Sequence, residues 1–346
     1  MIKSIIQNTT SIILAITVVS IVLLLLQSSP IEIYLTIYEG AFGSFEKLSR
    51  TLLITSIMCL SGLALVITFS TGLWNIGIEG QVLFGAIGAT FIARTTIGET
   101  NFAPIFQLLA GASFGALLGL VCAVLKTKAN VHEIFGGLGL DFVAAGLIVY
   151  LVIGPWKRAG IASTGGTDLF PTQSWMPGFA GSNFPIGPLI IILVVVFTLY
   201  VLLNKTSIGL RLIATGSNKD ATMRFKINSI KYICVAFLIT GAVAGLAGSI
   251  QAMSIYHKLV PNISGGYGFL GILIALIAGR NLFTVILVST VFGSIMVGGI
   301  QLQLRLGLDS SFPYIIESVF VLSLLIIRAS KIDMLIVNRF SVKATE

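Results

Sequence analysis

Residues 204–231 read NKTSIGLRLIATGSNKDATMRFKINSIK. They lie between two apolar segments, 186–203 and 232–254, and carry six Lys or Arg against a single Asp, Asp220. Short basic loops beside membrane spans stay on the cytoplasmic side, because Lys and Arg near a span resist translocation. Ser217 or Asn218 is placed to cap a short helix over 219–227. The small-residue run GAVAGLAG (241–248) opens the next span soon afterwards. The stretch reads as a docking element for a cytoplasmic partner, and it makes the chain an all-α polytopic membrane protein.

The rest of the chain agrees with that class. Of its 346 residues 56% are hydrophobic and only 10% charged, and the mean hydropathy is +1.02. Such a composition excludes a water-soluble globule and leaves no room for a separate soluble domain, so residues 1–346 form a single transmembrane domain. A span takes about 20 residues. About ten helices are expected, near 10–29, 51–70, 73–93, 103–125, 134–153, 186–203, 232–254, 268–280, 283–303 and 312–328.

Ten spans put both termini on one side, and the basic residues choose it. With the N-terminus inside, 14 of the 21 Lys and Arg fall on inward positions. Glu32, Glu39, Glu46, Glu99, Asp168 and Asp309 fall outside. Both termini are therefore expected in the cytoplasm of a bacterial cell, with the chain multi-pass in its inner (plasma) membrane. The formal charge of +8 is accounted for by inward loops, so no nucleic-acid partner is expected. Cys59, Cys122 and Cys234 are widely separated within apolar spans and read as buried, inert thiols. The apolar run 12–26 is followed by no Ala-x-Ala cleavage pattern and is kept as a first helix.

Two apolar regions are interrupted by glycine and polar residues: FSTGLWNIGIEGQVLFGAIGA (69–89) and NISGGYGFLGILIALIAGRN (262–281). Broken helices at membrane depth occur where they are buried in protein or line a water-filled path. One in each half of the chain is the arrangement of two repeats framing a pathway; close helix packing is the other use of such glycines. Residues 155–185 form the longest outward loop, rich in aromatics that suit either the bilayer interface or a lid for an external partner. Three carboxylates, Glu79, Asp141 and Glu317, fall in or at the ends of spans. A charged group at mid-bilayer costs roughly 2.5–3.5 kcal/mol, so these face the interior or a cavity. Glu79 shares its broken segment with Trp74, Asn75 and Gln81 and is the foremost pathway candidate, either touching substrate or bracing the break.

Catalysis has little to work with. There is no H-E-x-x-H for zinc, and no G-x-x-x-x-G-K-[ST]. No cofactor is expected on this chain, and if ATP with Mg powers transport, another subunit hydrolyses it.

Several segments, in order, resemble the permease subunits of ABC importers, in the branch that takes up nucleosides and simple sugars. WNIGIEGQ (74–81) is similar to that family's N-I-G-x-E-G-Q signature; GPWKRAG (154–160), GLRLIATGSN (209–218), GAVAGLAG and GYGFLGILIALIAGRN (266–281) complete the series. The chain departs from the pattern at Lys226, Asp141 and Leu270, where the family carries Gly, Asn and Asp. The resemblance implies an ABC importer permease fold and half of a translocation pathway. It implies a second permease subunit, making a heterodimer, a cytoplasmic ATP-binding subunit and an extracellular substrate-binding lipoprotein. Gly216, Asn218, Asp220, Ala221 and Arg224 would form the ATPase-coupling element, and Trp74, Asn75, Glu79, Gln81, Asp141, Tyr267 and Phe269 the substrate pathway. Trp74, Tyr267 and Phe269 suit stacking on a nucleobase and Asn75, Glu79 and Gln81 suit ribose hydroxyls; the same groups suit a bare sugar such as ribose or galactose. A proton-coupled secondary transporter, titrating at Glu79 and Asp141, is the competing class.

Overall fold

The computed structural model describes residues 2–158, 160, 165–178, 184–217, 222 and 224–330. Among these residues the regular elements are all helical. A helix satisfies its own backbone polar groups, which lipid cannot do. The elements used below are α1 (Ile2–Leu25), α2 (Pro30–Phe42), α3 (Phe45–Ser70), α4 (Ile78–Ala93), α5 (Ala103–Thr127), α6 (Glu133–Ile153), α7 (Ile186–Lys205), α8 (Ser207–Ser217), α9 (Ser229–Gln251), α10 (Tyr267–Ala278), α11 (Leu282–Leu306) and α12 (Phe312–Ser330). A π-helical turn, Ala252–Tyr256, extends α9.

Among the described residues six helices are long and apolar enough to span a membrane: α3, α5, α6, α7, α9 with its π-turn, and α11. A seventh is reached if α1 and α2 count as one broken span. Length alone therefore does not reach the expected ten. The span expected over 10–29 stops at Leu25, and after Gln27 at φ +57° the chain bends by 112° into α2. Ser29 caps α2 and Pro30 opens it, which is where a missing N–H costs nothing. Residues 30–42 were expected as connection and are helix. The spans expected over 73–93 and 268–280 are the shorter helices α4 and α10, cut back by the glycine-rich breaks before them.

The chain falls into two compact units, one from the described residues up to Thr51 together with those from Thr290 onward, the other Leu52–Ser289. In the first, Val19 and Leu23 of α1, Ile33 and Ile37 of α2, Leu302 of α11 and Ile316 of α12 form a buried cluster. Glu39 pairs with Arg305. Glu317 is buried in α12.

In the second unit α4, α5 and α9 pack backbone to backbone. A methyl on Gly115 would fall on the Gly241 carbonyl, one on Gly241 on the Gly115 carbonyl, and one on Gly245 on the Gly111 carbonyl. Association of helices in lipid has no hydrophobic drive and depends on such close approach and on interhelical hydrogen bonds. Thr240 of α9 donates to the Ala64 carbonyl of α3 at 2.9 Å, and Ser249 to the Gly85 carbonyl of α4 at 3.4 Å. Bonds of this kind contribute about 0.6 kcal/mol each in membranes. In the apolar 18-residue stretch of α3 83% of the residues are buried, against 28% in those of α6 and α7, which leave apolar side chains such as Phe142 and Phe197 uncovered by this chain.

Candidate functional site

The site is built around the N-terminus of α4. After Ser70 the chain turns on Gly72, whose φ of +72° lies in the left-handed region that glycine adopts without strain. The N–H groups of Gly72 and Leu73 close this turn onto the carbonyls of Phe69 and Thr68 at 3.1 and 3.2 Å. Residues 73–77 then run without helix until α4 begins, with Gly77 as a cap that offers no side chain.

Helix starts leave backbone N–H groups without intrahelical partners. Here a carboxylate from another helix answers one of them: Asp141 of α6 accepts from the Gly80 N–H at 2.7 Å. The fit needs glycine, since a Cβ at position 80 would sit 2.8 Å from Asp141 Oδ1. Gly77 and Gly137 make the same close approach between α4 and α6.

Glu79, one residue earlier, repeats the arrangement on α10. Its carboxylate accepts from the Ser264 hydroxyl and faces the N–H groups of Gly266, Gly268 and Phe269 at the start of that helix. Gly268 rests directly on Glu79, with no space for a side chain. Gln251 at the end of α9 donates to the Ser264 carbonyl at 3.3 Å. The Asn75 and Gln81 side chains form a reciprocal amide pair, at 3.0 and 3.3 Å, which ties the unwound segment to the first turn of α4.

The seven pathway candidates thus divide in two. Asn75, Glu79, Gln81 and Asp141 converge on the start of α4 and are at most 6% exposed. Trp74 and Phe269 are 44% and 41% exposed, and Tyr267 is intermediate. Trp74 packs its ring against Phe69 with centroids 5.5 Å apart.

Of the coupling candidates, Gly216 lies in the last turn of α8 and Arg224 is helical and exposed; Asn218, Asp220 and Ala221 lie outside the described residues. The helix α8 was not expected. Its buried face is Gly209, Leu212 and Thr215, a spacing of three hidden within a loop read for its charge. Ser217 ends this helix, its hydroxyl donating to the Ile213 carbonyl at 2.8 Å, while the start of the helix expected over 219–227 lies outside the described residues.

The far end of α4 carries a second polar group. Asp168 lies 3.9 Å from Arg94 and 3.7 Å from Arg158, and Arg94 stands over the Trp156 ring. The aromatic segment around Phe170 and Trp175 is pinned to the end of α9: Phe170 N–H donates to His257 O at 2.8 Å, and the Trp175 and His257 rings stack at 3.9 Å. Burial holds the His257 imidazole below its ordinary pKa, against a smaller opposing contribution from the Met253 backbone.

The family model described as "Branched-chain amino acid transport system / permease component" matches residues 47–329. Among curated relatives, the guanosine ABC transporter permease protein NupP of Bacillus subtilis is 26% identical over 294 residues, 84% of each chain. The glucose ABC transporter permease protein TsgB13 of Haloferax volcanii is 29% identical, covering 90% of this chain and 84% of that one. The nucleoside ABC transporter permease protein NupC of Lactococcus lactis is 30% identical, covering 73% and 83%.

Proposed function

We infer function from one premise: this chain belongs to the branched-chain amino acid transport system / permease component family. It is a multi-pass membrane protein and the permease subunit of an ABC importer. We propose that it carries nucleosides. The supporting observation is the alignment, over most of the chain, with relatives named for guanosine and for nucleosides. A simple sugar is the second reading, favoured by the relative named for glucose, which aligns over 90% of the chain.

In this reading the buried carboxylates and amides brace the pathway and the exposed rings line it. Asn75, Glu79, Gln81 and Asp141 spend their hydrogen bonds on the broken segments, fixing two half-helices. Trp74 and Phe269 remain as flat surfaces on which a base would stack, a contact worth about 0.5–1.5 kcal/mol beyond area burial. Residues 204–231 would dock on a cytoplasmic ATPase through exposed side chains such as Leu210, Arg224 and Phe225. A second permease, an external binding protein, about ten crossings and cytoplasmic termini complete the proposal.

The deciding experiment reconstitutes this chain with its neighbouring permease, ATPase and binding protein and measures uptake of labelled guanosine and adenosine against ribose, galactose and glucose. ATP-dependent nucleoside uptake is expected. Sugar uptake alone would move the substrate class, and uptake driven by a pH gradient without ATP would overturn the importer mechanism.

A further inference from the structure

The end of α8 touches the break that precedes α4. The backbone of Gly216 lies against the turn Ser70, Thr71 and Gly72 so closely that a Cβ on Gly216 would be 2.5 Å from the Ser70 carbonyl oxygen and 2.6 Å from the Gly72 nitrogen. From the other side, a Cβ on Gly72 would stand 3.2 Å from the Gly216 carbonyl oxygen. Peptide planes in contact with no side chain between them have no soft element to absorb displacement. The turn itself is closed by hydrogen bonds from Thr71, Gly72 and Leu73 back to Phe69 and Thr68. Beyond it the Asn75–Gln81 pair, the Gly80–Asp141 bond and the Glu79–Ser264 bond run on into α4, α6 and the start of α10.

We propose that the Gly72–Gly216 contact is the joint through which movement of the 204–231 segment reaches the broken helix, with both glycines acting as positioning residues. The proposal rests on the importer reading, in which that segment meets the ATPase. Helices at interfaces move by rigid displacements of about 1–2 Å. A joint of bare backbone passes such a displacement on, and Trp74, two residues past Gly72 and 44% exposed, is placed to report it.

The test uses the assembled complex with Trp74→Cys as reporter in a Cys234→Ser background, Cys59 and Cys122 being buried. Maleimide labelling at position 74 is timed with and without ATP plus vanadate. With the native joint, ATP is expected to change the labelling rate on the order of tenfold, and Gly216→Ala to abolish that response in the assembled complex, read against the ATP hydrolysis of the same preparation. Gly139→Ala and Gly146→Ala, at positions with open space around them, should leave it intact. If Gly216→Ala fails to assemble, Gly72→Asn carries the test, because Asn tolerates the left-handed backbone yet crowds Gly216. An ATP response equal to the native one in the variants, or no response at position 74 in the native joint, overturns the proposal. Failure of the importer reading shows separately, as absence of ATP-dependent uptake of nucleosides and sugars alike by the complex without the reporter.

Discussion

Asp141 and Gly80, 61 residues apart in the chain, are joined by a 2.7 Å hydrogen bond from the Gly80 N–H to the Asp141 carboxylate. This makes α6 the cap of a half-helix whose own preceding residue, Gly77, has no capping side chain. Removing the acceptor leaves a buried amide unpaired, at about 1–3 kcal/mol. Asp141→Leu should therefore lower the melting midpoint in detergent by several degrees. Asp141→Asn keeps an acceptor and should lower it much less. Equal midpoints for the two variants would show that the bond has no energetic weight.

The Asn75–Gln81 pair gives a second stability test. Each side chain alone loses its partner when the other is changed, so Asn75→Leu and Gln81→Leu should be non-additive. A coupling of about 1 kcal/mol is expected from a thermal double-mutant cycle. Strict additivity would remove the pair as the tie between the unwound segment and α4.

Glu79→Gln keeps a side-chain oxygen for the Ser264 hydroxyl but puts an NH2 donor where the second carboxyl oxygen faces the N–H groups at the start of α10. The expected result is wild-type yield of the assembled complex with ATP-dependent guanosine uptake reduced by about tenfold, equivalent to about 1.4 kcal/mol. Full uptake would leave the second carboxyl oxygen without a transport role.

His257 sets a pH dependence. Its pKa is lowered in the folded protein from 6.5 by burial, so the unfolded chain binds the proton more tightly. Stability contributed by neutral His257 is complete above pH 6.5 and is lost as pH falls through the folded value. Unfolding midpoints measured downward from about pH 7.5 should fall more steeply for the native chain than for His257→Phe, which keeps a ring against Trp175 without a proton to bind. Parallel curves would remove His257 as the source.

The sequence made the two broken segments legible because glycine and amide residues inside an apolar run violate the ordinary composition of a span. Helices α4 and α10 follow both breaks, as the interrupted pattern implies. What could not be read locally is which helix supplies the caps. The Asp141–Gly80 and Glu79–Ser264 bonds join residues 61 and 185 positions apart, and no periodicity encodes such pairings. The same limit hid the burial of Asn75, Glu79, Gln81 and Asp141, whose polarity alone suits a wetted pathway equally well. Helix α2 was missed for another reason: its two glutamates, Glu32 and Glu39, and the Pro at its start mimic a loop.

The paired glycines of α5 and α9 also constrain biogenesis. Helix α5 ends at Thr127 and the strip that receives it, Gly241 and Gly245, begins more than a hundred residues later. During synthesis the grooved face of α5 must wait in lipid, or beside an insertion factor, until α9 arrives. A chain stopped by truncation just before Ser229 should enter the membrane yet remain open to protease, and supplying residues 229–260 as a separate fragment should close it.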